Sequence, residues 1–248
     1  MTHSSKFLSV LAGVTALFTA GTAFAAAAPE AQRGDYVVLL HGMGRTALSM
    51  KRLECFLSRH GFRVINLTYH SRRHSIEELS EAYLCPLLEQ KATDPTVKIH
   101  FVTHSLGGII VREYLSRHDL KNLGRVVMLA PPNHGSKIID RLRANPVCRQ
   151  FLGASARQLG TASSDTPNRL GPVRFDCGVI AGDRSFNPFL SSLLPRPNDG
   201  KVSVASAQIA GMGDFLVLHS THTWLMWRGQ TLRQTLCFLE LGHFDHRH

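Results

Sequence analysis

Residues 98–108, KIHFVTHSLGG, are the stretch on which the reading of this chain turns. Ile99 to Val102 are strand-forming residues, Thr103-His104-Ser105-Leu106-Gly107-Gly108 follow, and Ile109-Ile110-Val111 then continue in a helical pattern. The order predicts a strand, a tight turn and a helix. A serine on such a turn is held in a strained conformation with its Oγ lifted clear of the strand end. The free N–H groups of the first helical turn point toward it. Small residues on either side let strand and helix approach closely.

The same alternation extends in both directions. Residues 36–40, YVVLL, are almost continuously apolar, as expected of a parallel strand covered on both faces. They run into His41-Gly42-Met43-Gly44, after which Thr46 is expected to cap a helix carrying Met50, Leu53, Phe56 and Leu57 and ending at Gly61. Residues 63–67, RVINL, read as the next strand. Ser75 with Glu78 spells a capping box for a helix to about Gln90, kinked at Pro86. Beyond the central stretch, residues 125–130, 174–181 and 215–218 read as further strands, and a last helix is expected over 230–241. Strand and helix alternating in this way predict a doubly wound parallel sheet with right-handed crossovers. Residues 131–173 break the pattern and are expected to form a cap or substrate-binding insertion.

The length of 248 residues suits one α/β domain. Residues 1–25 are set apart: Lys6 is followed by a small-residue apolar run to Ala23-Phe24-Ala25, the pattern of a cleaved secretory signal peptide. The domain is therefore expected over 26–248 and outside the cytoplasm, periplasmic or secreted. The net charge of +10 is spread along the chain without a run of five basic residues. It reads as solubility, with transient contact to an anionic membrane surface or polymer the other reading. No nucleic-acid motif is present. Five cysteines leave at least one unpaired, and Cys148 with Cys177, bracketing the irregular insertion, is the bridge expected in an oxidising compartment. No C-x-x-C or Cys/His spacing suggests zinc.

A serine hydroxyl needs a base within hydrogen-bond reach, a carboxylate to orient that base, and donors for an oxyanion. In a doubly wound sheet the ligand lies at the carboxyl ends of the strands, so only residues just beyond strands qualify. That leaves Asp183 and Asp199 as carboxylates and His219 and His222 as bases.

Taken together, His41-Gly42-Met43-Gly44, Thr103-His104-Ser105-Leu106-Gly107, Asn198-Asp199-Gly200-Lys201-Val202 and His222-Thr223-Trp224 resemble the α/β-hydrolase superfamily, in its bacterial triacylglycerol-lipase-like and esterase-like group. The order Ser, Asp, His is that of the family, and Thr103 departs from it by replacing the first glycine of G-x-S-x-G. The resemblance implies a minimal, mostly parallel six-stranded sheet with helices on both faces and a small cap insertion. It favours Asp199 over Asp183 and His222 over His219, giving Ser105, Asp199 and His222 as catalytic residues. The amides of Met43 and Leu106 become the oxyanion donors, and His41 a structural residue. It implies an ester hydrolase working through an acyl-enzyme on a small-molecule or lipid ester. Thioester, amide or acyl-transfer chemistry on the same triad, or a non-catalytic binding protein, are the alternatives. Some related lipases bind calcium; without a dense Asp cluster, neither metal nor cofactor is expected here.

Overall fold

The computed structural model describes residues 34–247. The expected signal peptide lies outside the described residues. Six parallel strands form one sheet: β1 (Tyr36–Leu40), β2 (Arg63–Leu67), β3 (Ile99–His104), β4 (Leu123–Leu129), β5 (Cys177–Gly182) and β6 (Asp214–Leu218), in the spatial order β2-β1-β3-β4-β5-β6. The sheet is thus wholly parallel where mostly parallel was expected.

The apolar run of β1 has the predicted cause. Val38 and Leu40 enter one core with Phe101, Val126 and Met128, whereas Val37 and Leu39 enter the other with Val102, Val127 and Leu129. Both faces are buried, so successive side chains must all be apolar. Helices α1 (Lys51–Arg59) and α11 (Gly229–Leu241) cover the second face through Leu53, Leu57, Phe238 and Leu239. The first face is covered by α2 (Ile76–Leu79), α3 (Cys85–Lys91) and α4 (Leu106–Arg117) through Ile76, Leu88, Ile109 and Ile110.

Local signals resolve unevenly. The Ser75–Glu78 capping box forms in both directions. Thr46, by contrast, makes no side-chain cap: the chain enters through a 3-10 turn, Ala47–Met50, and α1 starts after it. In place of a kink at Pro86, a π-turn, Ser80–Leu84, joins α2 to α3. Pro86 has no N–H to offer the preceding turn, and the wider turn accommodates that gap, with Cys85 N–H donating to the Ser80 carbonyl.

The insertion packs onto the main core as short helices: α5 (Lys137–Ala144), α6 (Pro146–Phe151), α7 (Ala154–Arg157) and α8 (Thr166–Arg169). Ile139, Ala156, Leu159 and Val173 join the core cluster containing α4. Buried Arg112 of α4 pins it at both ends, donating to the Asn133 carbonyl and Oδ1 at 3.3 and 3.1 Å, to Pro167 O at 2.9 Å and to Gly171 O at 2.7 Å. The expected Cys148–Cys177 bridge does not form; all five cysteines are free. Cys177 faces the core under β5, and Cys148 rides on α6. Helices α9 (Pro188–Ser192) and α10 (Val204–Ala207) complete the loops between β5 and β6. Among the described residues no helix is long and apolar enough to cross a membrane.

Candidate active site

Ser105 stands between β3 and α4 with φ 54° and ψ −120°, one of two non-glycine residues with positive φ among those described. An L-residue held there stores about 1–3 kcal/mol, and the surroundings hold it. Its N–H donates to Leu129 O of β4 at 2.8 Å, and its carbonyl accepts from Gly108 N at 3.1 Å. A Cβ on Gly107 would lie 2.7 Å from Leu40 O, so only glycine lets the helix start this close to β1. Thr103 is tolerated because Gly108 leaves space: a Cβ there would sit 3.3 Å from Thr103 Oγ1.

Pairing of β1 with β3 brings the His41-Gly42-Met43-Gly44 loop alongside. A Cβ on Gly42 would be 3.2 Å from Ser105 Cβ and 2.8 Å from His104 Nδ1. The Met43 N–H lies outside any helix or strand and has no acceptor among the described residues. Leu106 is the first residue of α4, where a backbone N–H has no partner within its own helix. His41 is structural, as expected. Its Nδ1–H donates to Gly42 O at 2.8 Å, its Nε2 accepts from Tyr69 N–H at 3.3 Å, and its ring stacks on Tyr69 at 4.0 Å. Burial lowers its pKa, so it is neutral.

Asp199 and His222 arrive from the loops after β5 and β6. Asp199 Oδ2 accepts the His222 Nδ1–H at 2.7 Å, while Oδ1 accepts the N–H groups of Lys201 and Val202 at 2.9 and 2.8 Å. A backbone bond, His222 N–H to Asp199 O at 3.1 Å, ties the loops a second time. Both side chains are buried. With Nδ1 committed to the carboxylate, Nε2 is the ring nitrogen left with a lone pair. The rival pair lies apart from it: His219, with a side chain 70% exposed, meets Asp183 in the same two loops.

Two further residues escaped the sequence reading. His104, fully buried, donates from Nε2–H to His222 O at 3.0 Å, and the two rings are 4.7 Å apart. Burial, then the neighbouring His222, holds its pKa well below the ordinary value. It is therefore a neutral strut between the Ser105 turn and the His222 loop. Its place just before Ser105 was the available signal. Gly182, at the end of β5, would put a Cβ 2.4 Å from Ser220 O and 3.0 Å from Asp199 Cβ, so its bareness lets the two loops close. An apolar cleft of about 280 Å³ lies beside the Asp199 loop, between His134, Lys137, Leu194 and Ser203.

A sequence model of the alpha/beta hydrolase family matches residues 37–240. The chain belongs to that family. No curated protein sequence matches this hydrolase. Among solved structures, it is similar to Bacillus licheniformis lipase BlEst2. The propeptide form gives a TM-score of 0.69 at 17% identity over 89% of this chain and 53% of that one, so the hydrolase spans about half its length. The mature form gives 0.65 at 18% identity, covering 85% and 92%. The type II thioesterase YbtT of the yersiniabactin pathway gives 0.55 at 13% identity, covering 86% and 95%. At such identities the likeness is one of fold.

Proposed function

We propose that this hydrolase cleaves carboxylic esters through Ser105, His222 and Asp199, and that the export expected from residues 1–25 delivers it outside the cytoplasm. The observation that carries the reading is the buried 2.7 Å Asp199–His222 bond, tied through the His222 carbonyl to His104, the residue before the strained Ser105. His222 Nε2 takes the Ser105 proton as Oγ attacks the ester carbonyl. Asp199 keeps the imidazole in its Nδ1–H tautomer and stabilises the imidazolium. The Met43 and Leu106 amides receive the oxyanion of the tetrahedral intermediate. His222 returns the proton to the leaving alkoxide, and water then releases the acid from the acyl-enzyme by the same route. Each oxyanion donor is worth about 3 kcal/mol of barrier.

The test is labelling with a fluorophosphonate, followed by aryl esters and thioesters of increasing acyl length. Stoichiometric labelling lost in Ser105→Ala, with turnover of oxygen esters, supports the reading. An unlabelled parent protein marks a binding protein on a hydrolase scaffold. Faster turnover of thioesters moves the substrate class.

A further inference from the structure

A second cluster of reactive side chains lies at the opposite end of α4. That helix carries 12 residues from Leu106 to Arg117, so its far end is roughly 18 Å from Ser105. There His118 Nε2 lies 3.0 Å from Glu81 Oε1, and one ligand atom each from Glu81, Cys85 and His118 falls within 4.8 Å of the others. Glu89 Oε1 stands beside them, accepting from Cys85 Sγ–H at 3.4 Å. We propose that Glu81, Cys85 and His118 form a zinc site, with Glu89 or a water as the fourth ligand.

The donor set decides the metal. A thiolate, an imidazole and carboxylate oxygen suit zinc, and a hard cation such as calcium would reject the sulfur. Bond lengths of about 2.0–2.3 Å place ligand atoms roughly 3.3–3.7 Å apart around a tetrahedral ion. The present separations, all within 4.8 Å, reach at most about 1 Å above that range. The frame is already set. Glu81 and Cys85 are four residues apart across the π-turn, hence on one face of their helix. His118 is held by stacking on Tyr114, with ring centroids 4.5 Å apart and planes at 16°. All three ligands are half-buried, open to an incoming ion. Nearby cations are engaged elsewhere, Arg117 with Glu113 at 2.6 Å and Lys121 with Asp119. Sequence spacing hides the site because His118 follows α4, a different helix from the segment that carries its partners.

Binding would replace the Cys85 Sγ–H and any His118 proton by bonds to the ion, releasing those protons to solvent. The site would staple α3 to the end of α4. It does not rest on the ester-hydrolase reading, since its readouts are metal content and spectrum. The reduced, chelator-stripped protein is titrated with Zn²⁺ against a chromophoric chelator and, separately, with Co²⁺. We expect one equivalent bound per chain, a thiolate-to-cobalt charge-transfer band, and a melting temperature raised by about 5 °C at saturation. Cys85→Ser and His118→Ala should each lose the band and the shift, and Cys148→Ser should keep both. No binding, or binding undiminished in Cys85→Ser and His118→Ala, as an adventitious histidine site would give, overturns the proposal. Labelling of Ser105 by fluorophosphonate should be the same with and without the metal, so a failed esterase reading leaves this result standing.

Discussion

His219 and Asp183 form an imidazole–carboxylate pair, Nδ1 to Oδ2 at 2.7 Å, in the same two loops that supply His222 and Asp199. The pairs have the same chemistry and differ in setting. The His219 side chain is 70% exposed, whereas that of His222 is 6% exposed, and the His222 backbone carbonyl accepts from His104, the residue beside Ser105. Solvent screening makes the outer pair worth little. His222→Ala should lower kcat/KM on a reactive aryl ester by roughly 10⁴-fold or more, and His219→Ala by no more than about twofold. Equal losses in the two variants would contradict the assignment of the base.

The turn that carries Ser105 depends on Gly42. A methyl group there would meet His104 Nδ1 at 2.8 Å and Ser105 Cβ at 3.2 Å, so Gly42→Ala must move Ser105 or its strut. We expect kcat to fall by at least tenfold, with the thermal midpoint lowered by only a few degrees. Steady-state kinetics beside calorimetry on one preparation separates the two effects.

His41, His100 and His104 all have pKa values lowered chiefly by burial. Each accepts a proton less readily in the fold than once unfolded. Between its folded value and about 6.5 the unfolded chain thus binds more protons, and stability rises with pH. Stability should be fully present above about pH 7 and decline as pH falls below 6.5, by up to about 1.4 kcal/mol per pH unit for each residue. Urea melts from pH 5 to 8 would display the slope, and His104→Gln should make it shallower.

Arg112 reaches both ends of the insertion from α4. Arg112→Met would strand several buried carbonyl groups, costing at least about 2 kcal/mol. Limited proteolysis should then cut within residues 131–173 well before the rest of the chain. Resistance equal to the parent's would mean that the insertion is held by its apolar contacts alone.

Much of this architecture is legible in the sequence because the β1 and β3 runs and the Ser75 capping box are local signals. The start of β4 was not legible. It begins at Leu123, two residues before the expected Arg125, because the ring of His100 fills the space above Gly124 and its Nδ1 accepts the Arg125 N–H at 2.8 Å. A strand glycine has no hydrophobic signature. The supposed Cys148–Cys177 bridge rested on position along the chain, and the depth of Cys177 under β5 is a three-dimensional fact. The same limit separates His222 from His219: both follow β6, and only the fold decides which one turns inward.

Ser105 occupies a backbone state that glycine enters freely. A Ser105→Gly chain should therefore melt a few degrees above its parent while hydrolysing nothing. A descendant released from catalytic duty would drift toward glycine at this position. Such a glycine, on an otherwise intact scaffold, would be the mark of a retired enzyme.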